Sequence, residues 1–170
     1  MCSSDLCAQT GRSALPVHPV PEEWPDGEGL LGAAALWYLA IGRREDARRI
    51  YAGLVPPAAV PPFAVLPYLT GYAELANAFD DRAMAADVYD RLLPFADLFV
   101  CSGAGALALL GSARLPLGVA AATVGRLEDA VRHLRAAAEA NELAGLPPFA
   151  AWARYRLARY RGRHSSRSPR

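Results

Sequence analysis

The chain has 170 residues, 53% of them hydrophobic, and a formal net charge of +1. That length can bury one substantial core, while the near balance of charge removes any general basic footprint for nucleic acid, although every basic residue is Arg and many lie near the C-terminus. Cys2, Cys7 and Cys101 form no Cys-x-x-Cys pair and no even set, which indicates neither a zinc site nor a disulfide scaffold and points to a reducing, cytoplasmic setting.

Residues 1–6, Met-Cys-Ser-Ser-Asp-Leu, read as the in-frame translation of a sequencing-library adaptor, which would put the natural N-terminus upstream. Residues 1–28 form an irregular lead-in, because Pro16, Pro19, Pro21 and Pro25 interrupt any regular element. The first apolar run is short and lacks a basic leader, so no secretory signal is expected. A first helix is predicted over 29–41, started by Asp26 or Glu28, and its partner over 44–54, with Glu45 and Arg49 as a supporting pair. Pro56, Pro57, Pro61 and Pro62 then prevent the helix from continuing.

The second hairpin pairs a helix over 64–78 with one over 82–93, where Asp87 and Arg91 repeat the acid-then-Arg spacing and Pro94 ends the run. Within 95–111, Phe95, Leu98, Phe99 and Val100 suggest an apolar turn of helix and residues 104–110 another, both buried. A third hairpin joins 112–124 to 127–143. Glu128 and Asp129 complement the positive end of the second helix's dipole, with Glu128 in reach of Arg132. Leu127, Val131, Leu134 and Ala138 share one stripe with Ala130 and Ala137, whereas Arg132, Arg135 and Glu139 point away. Gly145, Pro147 and Pro148 close this hairpin. A helix over 149–161 begins a fourth unit, and an Arg- and Ser-rich tail over 162–170 is expected to be disordered. The helical domain therefore spans 29–161. Residues 30–41 are too few to cross a bilayer, and Arg114 and Pro116 interrupt 99–124, so no membrane association is expected.

Aligned on their elbows, the hairpins agree with one another. Gly42, Asp80 and Gly125 fall in register; seven residues before each stands a small residue, Ala35, Ala73 or Gly118. Five after stands Ala47, Ala85 or Ala130, and four beyond that Tyr51, Tyr89 or Leu134. Antiparallel helices approach closely only where side chains are small, and a large residue one turn on fills the space beside them. Ala158 takes the small position of the fourth unit, 40 residues after Gly118. This pattern resembles the tetratricopeptide repeat, which implies an all-α, right-handed solenoid of about three helical hairpins plus a terminal helix. The elbows are 38 and 45 residues apart, more than the usual ~34 of that repeat, so helices or connections are longer. In such a solenoid the first helix of each hairpin lines the concave face. Thr70, Glu74, Asn77, Leu115, Val119 and Thr123 would then form a groove suited to a peptide or a partner helix.

The order Leu92-Leu93-Pro94-Phe95-Ala96, Ser102-Gly103-Ala104-Gly105, Gly111-Ser112, Gly125-Arg126-Leu127-Glu128-Asp129-Ala130 and Ala138-Glu139-Ala140-Asn141 resembles a more specific group. It is similar to the C-terminal helical-repeat region of bacterial, mainly actinobacterial, ATPase regulators: LuxR-type transcription factors with an NTPase core, and adenylate-cyclase or AAA-ATPase proteins with similar repeats. The resemblance covers about residues 29–160. It implies a regulatory interaction module, with ATPase and any DNA-binding segment elsewhere in a parent chain; the alternative is a stand-alone adaptor of the same repeats.

Nothing in the sequence calls for catalysis, a cofactor or a metal. Ser102-Gly103-Ala104-Gly105 lacks the Gly-Lys-Ser/Thr ending of a phosphate loop and reads as a hairpin connection. His18, His133 and His164 are scattered, so His133 is expected to be solvated or partly packed, and Cys101 to be a buried apolar thiol. Tyr51, Tyr89, Trp37 and Tyr38 suit helix packing better than base stacking. Arg154, Arg156, Arg159, Arg161, Arg163, Arg167 and Arg170 read as a solvated last helix and tail. The expected partner is a protein or peptide, including other domains of a parent chain, and direct nucleic-acid binding is not expected.

Overall fold

A computed structural model describes residues 28–102 and 108–165, with side-chain surroundings over 32–102 and 108–160. Expectations for the adaptor-like start, Cys2, Cys7, His18, the side chains of Arg161, Arg163 and His164, and residues 166–170 lie outside the described residues. Those described are mainly helical, with seven α-helices and one two-stranded sheet among them. The chain divides into two compact units, Met1–Pro56 and Pro57–Arg170.

The first unit contains α1 (Glu28–Ala40) and α2 (Arg44–Ala52). Their elbow turns at Gly42, whose φ of +83° lies in the region open mainly to glycine. Ala34, Ala35 and Ala47 are buried, as a close approach at small residues requires. Trp37 meets Tyr38 edge to face, and the Arg43 guanidinium lies 4.8 Å from the Tyr38 ring centre. Asp46, rather than the expected Glu45, serves Arg49, at 3.6 Å, and it also accepts from Arg43 at 2.7 Å. Two cations one turn to either side of the same carboxylate account for that choice.

In the second unit, short 3-10 turns at Pro57–Ala59 and Pro62–Ala64 lead into α3 (Val65–Phe79) and α4 (Arg82–Leu92). Asp80 closes α3 in the left-handed conformation, φ 55°, and Asp81 caps α4 by accepting from the Met84 amide at 2.9 Å. Further on, α5 (Arg114–Val124) and α6 (Leu127–Leu143) join at Gly125, φ +99°, where the Gly125 and Arg126 amides bond back to the Ala121 carbonyl at 3.1 and 2.9 Å. A Cβ built on Gly118 would lie 2.5 Å from Leu134 Cγ and 3.3 Å from the Ala130 carbonyl oxygen. The small position before the elbow and the two positions after it therefore meet in space. Leu69, Leu75, Leu92, Leu117 and Leu134 form the fully buried centre. Arg91 pairs with Asp87 at 2.6 Å as the spacing predicts, but Arg132 pairs with Asp129 at 2.5 Å instead of Glu128.

Between these hairpins the expectation of further helix is overturned. After a 3-10 turn at Leu93–Phe95 the chain forms β1 (Phe99–Ser102) and β2 (Ala108–Ser112), an antiparallel pair with Phe99 opposite Ser112 and Cys101 opposite Leu109. Four apolar residues do not distinguish a helical turn from a strand, and here the two-residue period prevails: Val100 is buried and Cys101 exposed. The buried thiol expected at Cys101 is thus corrected. Strand β1 touches α3, and β2 touches α6 and the last helix. The connection 103–107 lies outside the described residues.

That last helix, α7 (Pro147–Ser165), runs beyond the predicted end at 161 and into the segment expected to be disordered. It buries Ala150, Ala153 and Tyr160, packed on α5 and α6, and turns Arg156 inward to α3, with Phe149, Trp152 and Leu157 partly buried beside them. Ala158 is exposed on the opposite side, so it does not occupy a covered small position.

Candidate interaction surface

The six residues predicted to line a concave groove do not form an open one. Leu115, Val119 and Thr123 are 6%, 0% and 7% exposed. Leu115 packs in a cluster with Leu134, Ala137, Ala138, Ala153 and Tyr160, so α7 supplies part of what covers it. The Thr70 hydroxyl is used locally, donating to the Leu66 carbonyl at 2.7 Å.

Polar members of the set are joined into one internal chain of hydrogen bonds. From α7, the Arg156 guanidinium donates to a Glu74 carboxylate oxygen through Nη2 and to Asn77 Oδ1 through Nη1 at 3.0 Å. The Asn77 amide donates to the Thr123 hydroxyl at 2.9 Å, and that hydroxyl donates to the Val119 carbonyl at 3.0 Å. One face of the guanidinium lies 4.7 Å from the Trp152 ring centre. With 8% side-chain exposure on Arg156 and 21% on Glu74, the pair is largely removed from water, which makes either partner costly to lose alone. Burial also pushes the Tyr160 phenol up, with the Arg156 charge acting the other way.

Arg156 therefore departs from the solvated arginine expected of it. Sequence reasoning missed it because guanidinium groups are normally exposed; its spacing from Ala153 and Tyr160 was the available signal, since the three share one helical face. Arg154 remains at the surface and pairs with Glu142.

His133 is a second correction. Neither solvated nor loosely packed, it is 2% exposed, and its Nε2 lies 3.2 Å from the Tyr89 hydroxyl, with the rings edge to face. Its Nδ1 is buried without a hydrogen-bond partner. Burial lowers the imidazole below its ordinary value of 6.5, and Arg132 and Arg114 add to the effect against Asp129. The ring is thus packed in the interface between helices α4 and α6. Asn141, fully buried, accepts from the Ser112 amide at 2.9 Å and anchors β2 to α6.

No group of three His, Cys, Asp or Glu residues able to hold a metal ion occurs among the described residues, and none of their helices is long and apolar enough to cross a membrane. Outside the helix interfaces, a shallow open groove of about 510 Å³ runs along α6 between Leu127 and Glu139, flanked by Glu128, Arg132 and Arg135. It brings no nucleophile or histidine together with an acid or base. No family model, curated protein or solved structure matches the chain.

Proposed function

We propose that the chain is a non-catalytic protein-interaction and sensor module, built of tetratricopeptide-like hairpins and belonging to an ATPase-linked transcriptional or signalling regulator. The observation that carries this reading is the meeting of Gly118, Ala130 and Leu134 across the Gly125 elbow, because the sequence repeats the same offsets at the other two elbows, where Ala35, Ala47, Ala73 and Ala85 are buried. Consistent with it, the buried Thr123 and Arg156 and the half-buried Glu74 and Asn77 bond to one another and hold helices together. Binding in such a module falls to its helix surfaces. Membership of a larger regulator rests on the sequence motifs and is tested by long reads of the source DNA across the codons of residues 1–6 and beyond Arg170. A continuous upstream frame encoding a Walker-type ATPase is the expected result. An authentic start codon there, with a stop after Arg170, would instead make the module a stand-alone adaptor.

A further inference from the structure

Strands β1 and β2 pair only with each other, so among the described residues neither has a strand on its outer side. The two outer edges differ. At β2 the Ser112 amide is taken by Asn141 Oδ1, and α6 and α7 lie against the strand. At β1, among the described residues, no backbone group of Phe99–Ser102 bonds outside the β1–β2 ladder. Natural sheets guard such an edge with charges, especially Lys, or with Pro. Residues 98–113 hold neither a charged side chain nor a proline. The charges on either side of this run, Asp97 and Arg114, pair with each other at 2.5 Å. Leu98, Leu109 and Cys101 are meanwhile exposed.

These features select the occupant. A strand edge binds through backbone groups that are the same in every chain, so side chains decide what fits, and here they call for an uncharged strand. Phe99-Val-Cys-Ser102 has that composition itself. When it lies antiparallel to its own copy across a twofold axis, every bond that one strand makes is returned by the other. A two-stranded ribbon alone is marginal in water, whereas about four strands is an ordinary sheet. The register is restricted as well, because residues opposite each other share a face of the sheet. Val100 keeps to the buried side, so the exposed Cys101 meets the partner's Cys101 or the partner's Phe99.

We propose that the outer edge of β1 pairs antiparallel with β1 of a second copy of this chain, giving a four-stranded sheet in the order β2-β1-β1-β2. This goes beyond the interaction-module reading and does not depend on it.

Sedimentation velocity of the full chain, from micromolar to submillimolar concentration, should show a monomer–dimer equilibrium. With Cys2 and Cys7 replaced by serine, a short bis-maleimide should join two chains through Cys101, in proportion to the dimer present. Cys101→Lys puts like charges along the paired edge at an exposed position. It should leave circular dichroism and the melting temperature in dilute solution unchanged, and weaken dimerisation by at least about tenfold. Glu128→Lys also adds positive charge at an exposed position, but at the opposite end of α6 from Asn141, and should leave the dimer intact. A chain that stays monomeric throughout, a dimer that Cys101→Lys leaves unchanged, a dimer that Glu128→Lys weakens as much, or a dimer that does not cross-link through Cys101 overturns the proposal. If Cys101→Lys fails to fold, the cross-linking result decides alone.

Discussion

Replacing Gly118 with alanine tests the close helix approach beside the Gly125 elbow directly, because two effects of opposite sign act at the same atom. Alanine in a helix interior is favoured over glycine by about 1 kcal/mol. Against that, the new Cβ would sit 2.5 Å from Leu134 Cγ and 2.8 Å from Leu134 Cδ2, inside any tolerable contact. Leu134 is fully buried and cannot swing into solvent, and the Ala130 carbonyl at 3.3 Å bars retreat along the backbone. Overpacking of this kind costs about 1–3 kcal/mol, and the clash involves two leucine carbons, which places it toward the upper part of that range. The balance is a net loss of about 1–2 kcal/mol, or a fall in melting temperature of about 2–8 °C for a chain of this size. Urea and thermal unfolding followed by circular dichroism at 222 nm read the change. A double-mutant cycle makes the assignment specific: Leu134→Ala alone should cost about 2–5 kcal/mol, but Gly118→Ala added to it should be neutral or stabilising, since the obstructing branch has gone. If Gly118→Ala raises stability in the wild-type background, or if the two changes simply add, the close approach at the elbow is not as described.

Three other outcomes are expected. Arg156→Met should destabilise by about 2–3 kcal/mol, somewhat below the value for a fully buried pair because Glu74 retains 21% side-chain exposure, and most of the loss should return in Glu74→Leu with Arg156→Met, measured by urea melts. The buried His133 should make stability depend on pH: the unfolded ring takes up its proton near 6.5 and the folded ring only at lower pH, so its contribution is complete above 6.5 and is lost as pH falls through the folded value. Between pH 7.5 and 5 the stability difference between wild type and His133→Gln should therefore shrink, and a constant difference would remove His133 as the cause. Asp81→Ala, which deletes the cap on the Met84 amide, should cost about 0.5–2 kcal/mol in the same melts, whereas Asp81→Asn should cost little.

What the sequence disclosed was local and periodic. Gly42, Asp80 and Gly125 mark the elbows because a left-handed turn restricts residue choice, and all three adopt it. The contact of Gly118 with Ala130 and Leu134 was legible for the same reason, as a fixed offset from a marked turn. The strands β1 and β2 were not, since a run as short as Phe-Val-Cys-Ser has no period that separates a helical turn from an extended segment. Nor was the fate of the six groove residues, whose shared face could be read but not what would cover it. That depended on α7 turning Arg156 inward to Glu74 and Asn77, a contact between residues 79 and 82 positions apart that no local pattern announces. Arg132 choosing Asp129 over Glu128 shows the same limit on a smaller scale.

The Arg156 contact with α3 also bears on how the second unit comes apart. In an ordinary repeat array each hairpin touches only its neighbours, so fraying can start at either end and advance one unit at a time. Here the final helix is tied to the first long helix of the unit across the intervening hairpin, so the terminal element cannot peel off without breaking a contact at the other end. Helices α3 to α7 should accordingly open as one cooperative block, with amide protection in α7 close to that of α3, where an open-ended array would show a gradient falling toward its last helix.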